Sequence, residues 1–161
     1  RLKAIRGNDK YILVYAFGGS KNIINLAKSI SQETGYKIVC DSTTYRMSFH
    51  ISYEKSVGPK EFLALFKSAE YIITNSFHGT AFAINFNKQF FTEFLPESQD
   101  VNSRLENILQ LFGLENRIIT NSVPTAMEIP INYSEVNKIL EKERKESTAL
   151  LKNAALGGED E

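Results

Sequence analysis

The sequence predicts a doubly wound, Rossmann-like α/β domain whose sheet is mostly parallel. Two apolar runs, Tyr11–Phe17 and Tyr71–Thr74, have the length and the β-branched and aromatic content of buried strands. Each run is followed by a small polar turn and then by a segment with helical spacing of its apolar residues. This recurring order favours parallel strands joined by right-handed crossovers. At 161 residues, we expect one such domain over residues 1–161.

The composition argues against several classes of protein. Hydrophobic residues make up 42% and charged residues 24%, as in ordinary globular domains. Lys+Arg and Asp+Glu both total 19, so there is no basic excess of the kind that binds nucleic acid or membrane surfaces. No apolar run approaches the ~20 residues that span a bilayer, and no signal peptide is visible, so we expect a cytoplasmic domain.

The metal-binding and redox residues are few. The single cysteine, Cys40, ends an apolar run and is interpreted as a buried small residue rather than a nucleophile. One cysteine and two histidines are too few for a structural zinc site, so no metal is expected.

The first forty residues predict a strand–helix–strand unit. Residues 1–10 are polar and read as a lead-in linker to the strand Tyr11–Phe17. A helix follows from about Lys21 to Thr34, where Gly35 is placed to end it. A second short strand is expected at Lys37–Cys40. The apolar residues that define the inner face of the helix are Ile23, Leu26, Ala27 and Ile30.

The segment 41–56 alternates apolar and polar residues, which suits an edge strand or an extended segment. His50 falls on the polar side of this alternation, which favours an exposed histidine over a catalytic one. A helix then opens at Gly58-Pro59, with proline in its preferred first helical position. Its predicted buried face consists of Phe62, Leu65, Phe66 and Ala69.

The central stretch, Tyr71–Phe91, reads as strand, tight turn, helix and strand. Asn75 and Ser76 supply helix-capping side chains, and small residues at 79–81 begin the helix. The next strand is expected at Phe90-Phe91. The turn lies at the carboxyl end of a parallel strand, where open α/β sheets bind their ligands.

The rest of the chain predicts a loop, two helices and one more strand. The loop Glu93–Asn102 leads to a helix that starts at Ser103 and ends at Gly113, and Arg117–Ile119 is predicted as a last short strand. A long helix is expected over Tyr133–Ala155, with Ser134 near its cap, followed by a disordered tail at 157–161. The inner stripe predicted for the long helix is Val136, Leu140, Ser147, Leu151 and Ala154.

Polar residues gather at one edge of this predicted sheet. The edge would bring together Gly18–Ser20, Asn75–His78, Glu93 and Arg104. The glycines of Gly18-Gly19-Ser20 either cradle a phosphate or simply let the strand turn into its helix, and no full G-x-G-x-x-G fingerprint is present. His78 is either a general acid or base or a capping or buried structural histidine.

Three stretches resemble the polysaccharide pyruvyl transferase family. The most specific runs from Val57 to Phe91, VGPKEFLALFKSAEYIITNSFHGTAFAINFNKQFF, and contains the SFHG motif at Ser76–Gly79. The others are NSRLENILQLFGLENR, residues 102–117, and the end of the chain from Ile129 to Leu156. The first strand, YILVYAF, is compatible with the family but less distinctive.

The resemblance implies a fold similar to that of B-type glycosyltransferases, with the active site between two Rossmann-like lobes. The chain would correspond to the C-terminal half, with the family's N-terminal lobe missing, so we expect the isolated domain to be inactive. The implied reaction transfers a pyruvyl group from phosphoenolpyruvate to a hydroxyl of a cell-surface polysaccharide or its precursor. Phosphoenolpyruvate is then the donor substrate, a carbohydrate is the acceptor, and no cofactor is implied.

The SFHG match assigns His78 to the proton shuttle that such a transfer needs. Helix-terminal N–H groups and an arginine suit the phosphate or carboxylate of the donor. The predicted donor-binding residues are Asn75, Ser76, Phe77, Gly79, Arg104, Gly19 and Ser20. For Ser76 the alternative is a helix cap, and for Arg104 it is an ordinary surface or capping arginine.

Two other functions fit the same predicted fold. A glycosyltransferase that uses a nucleotide sugar would need a carboxylate for the ribose, and Glu93 is the nearby candidate. The third is a non-catalytic anion-binding or interaction domain that keeps the architecture and shows no turnover with any acceptor.

Overall fold

The fold is an α/β sandwich built on five parallel strands, and the computed structural model describes residues 9–41, 51–53, 58–96, 99–120 and 129–155. The strands are β1 (Tyr11–Tyr15), β2 (Lys37–Asp41), β3 (Ile51–Tyr53), β4 (Tyr71–Thr74) and β5 (Gln89–Thr92). Their order in the sheet is β3-β2-β1-β4-β5, and every neighbouring pair is parallel. The predicted doubly wound fold class is therefore confirmed. Most of the predicted lead-in and all of the predicted tail lie outside the described residues.

Five helices accompany the sheet in the described part of the chain. They are α1 (Lys21–Thr34), α2 (Pro59–Ser68), α3 (Phe77–Asn85), α4 (Gln99–Phe112) and α5 (Tyr133–Ala155). The predicted bounds of α1 are confirmed, because Gly35 adopts a left-handed φ of 72° and donates its N–H to the Ser31 carbonyl at 2.9 Å. In the described segments, none of the helices has the length and hydrophobicity that crossing a bilayer requires.

The sheet is covered on both faces, which explains why its central strands are apolar throughout. On one face α1 packs against a cluster that includes Ile12, Val14, Ile38, Cys40 and Ile73. On the other face, residues of α2, α3, α4 and α5 pack against a cluster that includes Leu13, Val39, Ile72 and Phe90. Each fully buried side chain of this size contributes about 1.5–3 kcal/mol of apolar burial. The prediction that Cys40 is buried is confirmed.

The segment 41–56 contains one described strand beyond Asp41. Ile51–Tyr53 pairs in parallel with β2 at the edge of the sheet, which confirms the prediction of an edge strand for that part. His50 lies outside the described residues.

Two boundaries downstream of β5 differ from the prediction. Helix α4 begins at Gln99, four residues before the expected Ser103. Asn102 is therefore helical, and its side-chain amide both accepts from the Leu95 N–H (2.9 Å) and donates to the Leu95 carbonyl (2.8 Å). These bonds tie the loop after β5 to the first turn of the helix.

The predicted strand at Arg117–Ile119 is wrong. Glu115–Arg117 forms a 3₁₀ turn, and only a single bridge joins Thr92 to Ile118. The 3₁₀ turn includes Arg117, so only Ile118 and Ile119 remain to contact β5, and the Ile119 N–H donates to the Thr92 carbonyl at 2.7 Å. Arg117 itself is buried; its side chain donates to the Ile129 carbonyl at 2.5 Å and lies over the Phe91 ring. Burial lowers the pKa of this guanidinium from its usual value.

The predicted inner stripe of α5 is correct only in the first turns of the helix. Val136 is buried and Leu140 packs against the core, whereas Ser147, Leu151 and Ala154 are exposed. The spacing placed these residues on one face, but no described element covers the second half of the helix. The cap is also displaced, because the Oδ1 of Asn132 accepts the Ser134 N–H at 3.1 Å.

Candidate functional site

The predicted ligand edge lies where the winding of the sheet reverses. From β1 the chain passes through α1 on one face to β2, and from β4 it passes through α3 on the other face to β5. The two turns after β1 and β4 therefore diverge at a topological switch point, the usual ligand position in open α/β sheets. The register places Tyr15 beside Thr74 at the ends of the two strands.

Asn75 joins the two turns across this switch point. Its Oδ1 accepts the Phe17 N–H and its Nδ2 donates to the Phe17 carbonyl, both at 2.8 Å. Below it, the Thr74 hydroxyl donates to the Tyr15 carbonyl at 2.5 Å. The Asn75 side chain thus does not cap α3, contrary to the prediction. Its amide presents a donor and an acceptor side by side, as a backbone peptide does, and it is 2% exposed.

Ser76 is the residue that caps α3. Its backbone is extended (φ −104°, ψ 132°), and its Oγ accepts the Gly79 N–H at 3.4 Å. Its own N–H donates to the Thr74 hydroxyl at 3.0 Å. The side chain is almost fully buried, so the geometry favours the cap over the alternative of an anion ligand.

Gly79 has a packing function in this structure. A Cβ at this position would lie 2.4 Å from the Thr74 Oγ1 and 3.0 Å from the Tyr15 ring. The residue is buried, and its N–H is used by the Ser76 cap. Glycine is needed here so that α3 can approach the sheet closely.

The first two N–H groups of α3 make no hydrogen bond within the described residues. The Thr80 N–H makes the first helical bond, to the Ser76 carbonyl at 3.0 Å, and the Gly79 N–H bonds to the cap. Within the described segments, the backbone N–H groups of Phe77 and His78 have no acceptor. Such groups, together with the positive end of the helix dipole, attract anions.

His78 projects from this helix terminus into solvent. Its side chain is exposed, and its ring lies edge-on to the Phe77 ring at 5.8 Å between centroids. The alternative of a buried structural histidine is therefore wrong. An exposed imidazole beside open N–H groups can exchange a proton with a molecule bound there.

Arg104 reaches the same helix terminus from α4. Its guanidinium carbon lies 5.4 Å from the centroid of the Phe77 ring, and Phe77 is the first residue of α3. No carboxylate of the described residues forms an ion pair with it. A cation beside the positive end of a helix dipole is electrostatically unfavourable by itself, and a bound anion would reverse the sign of that interaction.

The turn after β1 ends in a second cap of the same type. Ser20 is extended (φ −95°, ψ 127°), and its Oγ accepts the Ile23 N–H at 3.3 Å. Gly18, not Gly19, takes the left-handed backbone that lets the strand turn, at φ 69°. From the first turn of α1, Asn22 Nδ2 donates to Glu93 Oε1 at 2.8 Å.

The structure thus brings most of the predicted residues to one edge, linked by direct contacts. Phe17 bonds to Asn75, Asn22 bonds to Glu93, and Arg104 lies over Phe77. Sequence reasoning missed Phe17, Asn22 and Thr74. Strand spacing places Thr74 at this edge, whereas nothing local in the sequence distinguishes Asn22 or Phe17 from ordinary helix and strand residues.

Two surface depressions lie elsewhere on the described residues. One surface depression of about 420 Å³ runs along the second half of α5, and another of about 310 Å³ lies between α1 and β2. Both are remote from the carboxyl ends of the strands, so the polar groups identify the candidate site and the depressions do not. Among the described residues, no cluster of three or more histidine, cysteine or acidic side chains could hold a metal ion.

Comparisons with known proteins agree with the predicted fold and family. The sequence model for polysaccharide pyruvyl transferase matches residues 2–92. A crystal structure of the glycotransferase of kitacinnamycin superposes with a TM-score of 0.55 at 11% sequence identity, which supports the Rossmann-like fold alone. The alignment covers 91% of this chain but 43% of the other. No curated protein matches at a significant level. The match to residues 2–92 includes the SFHG motif and more than half of the chain, which therefore belongs to the polysaccharide pyruvyl transferase family.

Proposed function

We propose that this chain is the donor-binding, C-terminal lobe of a transferase that moves a pyruvyl group from phosphoenolpyruvate to hydroxyls of a cell-surface polysaccharide or its precursor. The observation that carries the proposal is the N-terminus of α3. There the unbonded N–H groups of Phe77 and His78, the His78 imidazole and the Arg104 guanidinium converge without an ion-pair partner in the described segments.

The charge of this region suits phosphoenolpyruvate. The donor carries a phosphate and a carboxylate, and a helix N-terminus with an arginine offers fixed donors to such groups. The second capped helix terminus, at Lys21 of α1, opens from the adjacent strand of the sheet. Two positive helix ends beside neighbouring strands match a small ligand with two anionic ends.

His78 is the proton-transfer group in this proposal. Two C–O bonds form between acceptor hydroxyls and C2 of the donor, and the bond from C2 to the phosphate oxygen breaks. One hydroxyl proton goes to C3, which becomes a methyl group, and the other leaves with the phosphate. An imidazole that accepts the first proton and returns it contributes roughly a hundredfold to ten-thousandfold to such a reaction.

The predicted donor-binding residues fall into two groups: those proposed to contact the donor and those proposed to position the contacting groups. Phe77 supplies an open N–H and a ring for Arg104, so both are proposed to contact the donor. Asn75, Ser76 and Gly79 are proposed to position those groups rather than to bind the donor. Gly19 and Ser20 remain proposed donor contacts on the side of α1.

The proposal also includes parts of the enzyme beyond this chain. A second, N-terminal lobe would face the same sheet edge and complete the site, as the family resemblance implies, so the isolated lobe should be inactive. The enzyme would act in the cytoplasm and need no cofactor other than the donor substrate.

A titration calorimetry experiment on the full-length protein tests the proposal. Phosphoenolpyruvate, inorganic phosphate and uridine diphosphate glucose are compared as ligands. We expect phosphoenolpyruvate to bind best, and we expect Arg104→Ala to weaken it about tenfold or more, as for a lost charge-assisted hydrogen bond. Arg144→Ala, an exposed arginine on α5, is the matched control and should change nothing.

The outcomes separate the competing functions. Preference for the nucleotide sugar would replace pyruvyl transfer with glycosyl transfer. Equal binding of phosphate and phosphoenolpyruvate, without turnover of any acceptor, would indicate a non-catalytic anion-binding domain.

A further inference from the structure

Phe17 is an exposed aromatic residue at the switch point. The residue is 58% exposed, and it is the one exposed phenylalanine or tyrosine among those whose burial the structure describes. A single exposed apolar side chain is ordinary on a protein surface, but this one lies at the edge where open α/β sheets bind their ligands.

The ring of Phe17 is held in place from two directions. Its backbone N–H and carbonyl are both bonded to the Asn75 amide at 2.8 Å. Its ring meets the Tyr15 ring edge-to-face at 5.7 Å, and Tyr15 in turn meets Phe62 and Phe66, each at 5.4 Å. The exposed ring is therefore the outer end of an aromatic cluster in which Tyr15 and Phe62 are partly buried and Phe66 is fully buried. A surface that is rigid before binding loses little conformational entropy when it binds.

The position of Phe17 relates it directly to the proposed reaction centre. The residue bonds to Asn75, which immediately precedes the cap of α3 and lies three residues before His78. The Asn22–Glu93 pair joins α1 to the loop after β5 at the same edge and supplies polar groups there. An exposed ring at the same edge as an amide and a carboxylate suits a ligand with an apolar face and polar groups around it.

We propose that Phe17 is the platform on which a pyranose ring of the carbohydrate acceptor stacks. This inference depends on the proposed pyruvyl transfer, which supplies the carbohydrate. One face of a pyranose presents C–H groups, which are attracted to the electron-rich face of an aromatic ring. Stacked there, the sugar keeps its hydroxyls at the rim, where they can reach the donor bound at His78.

Variants at Phe17 test this without disturbing the turn, because its hydrogen bonds use backbone atoms. In the full-length enzyme we compare Phe17→Ala, Phe17→Leu and Phe17→Trp, with methyl β-D-galactopyranoside and methyl β-D-glucopyranoside as acceptor probes. The Ala and Leu variants should raise the acceptor KM about tenfold, and Trp should restore it. The affinity for phosphoenolpyruvate should not change. Leu150→Ala, an exposed apolar residue on α5, is the control.

Saturation-transfer NMR on the same probes supports or overturns the platform independently of turnover. Saturation of the aromatic protons should reach the sugar C–H protons in the wild type and be lost in Phe17→Ala. No transfer in the wild type, equal KM values for wild type and Ala, or full activity of Leu would each overturn the proposal. Failure of the wild type to bind phosphoenolpyruvate would instead refute the proposed function, and the NMR result would still decide whether a sugar stacks on Phe17.

Discussion

The turns after β1 and β4 use the same cap but have different consequences. Both end in a serine with extended backbone whose Oγ accepts the N–H three residues on. The turn after β4 is two residues long and buried, whereas the turn after β1 is five residues long and exposes Phe17, Gly18 and Gly19. The same serine cap therefore occurs in a short, buried turn after β4 and in a longer, exposed turn after β1.

The difference arises from packing beneath each turn. Gly79 lets α3 approach the Thr74 hydroxyl, and that hydroxyl also bonds to the Tyr15 carbonyl. No comparable contact exists at Gly18 or Gly19, where an added Cβ would meet no atom within 4 Å. The turn after β4 is thus closely packed against the sheet, and the turn after β1 is open.

The largest expected effect concerns His78, which only the turn after β4 presents. In the full-length enzyme, His78→Ala should lower kcat by roughly a hundredfold to ten-thousandfold, because the proton-transfer group is lost. Affinity for phosphoenolpyruvate should remain, since the backbone N–H groups are unchanged. Steady-state kinetics and calorimetry measure the two quantities, and an unchanged kcat would contradict the assignment.

Alanine at the glycines compares the packing of the two turns directly. Gly79→Ala should lower the free energy of unfolding by about 1–3 kcal/mol, because its Cβ overlaps the Thr74 hydroxyl. Gly19→Ala should change it by less than about 0.5 kcal/mol, since the position is open. Urea unfolding of both variants is the measurement. Equal losses would show that the two turns are packed alike.

Asn75→Ala breaks the connection between the turns. It leaves the Phe17 N–H and carbonyl without their partners, which should cost about 1–2 kcal/mol of folding stability. Asn102→Ala is the matched control, because its amide makes the same two bonds to Leu95. Both variants should be destabilised in thermal unfolding, but only Asn75→Ala should also raise the acceptor KM. The same KM in both would separate Phe17 from the acceptor site.

Loss of either cap should cost no more stability than Asn75→Ala. Ser76→Ala should lower the free energy of unfolding by about 1–2 kcal/mol, and Ser20→Ala should lower it by about 0.5–1 kcal/mol. The loss is larger at Ser76 because this residue is buried, so the Gly79 N–H that loses its acceptor has less access to water. The two free energies of unfolding are compared in urea. A larger loss at Ser20 than at Ser76 would contradict the expectation that the cap after β4 contributes more to stability than the cap after β1.

Local patterns in the sequence were enough to predict most of the fold. The bounds of α1 followed from apolar spacing and Gly35, and the ligand edge followed from strand order. Spacing also predicted the shared face of α5, but it could not show that no described element covers Leu151, because periodicity says nothing about partners. Arg117 escaped prediction because its burial depends on residues 129 and 91, both distant in sequence.

The sequence predicted where the candidate site lies but not which side chains contact one another there. The SFHG motif identified His78 and the helix N-terminus. The amide of Asn75 looked like a cap because its true partner, Phe17, is 58 positions away. The contact of Arg104 with Phe77 likewise depends on how α4 packs against α3.

The central claim is that the N-terminus of α3, with Arg104, binds the anionic donor. Its most direct test is to titrate isotope-labelled full-length protein with phosphoenolpyruvate and follow the backbone amide signals by NMR. The account predicts the largest shifts at Phe77 and His78 and smaller ones at Lys21 and Asn22 of α1, and Arg104→Ala should need about tenfold more donor to reach the same Phe77 and His78 shifts. Shifts confined to α1, or none at Phe77 and His78 at saturating donor, would contradict it.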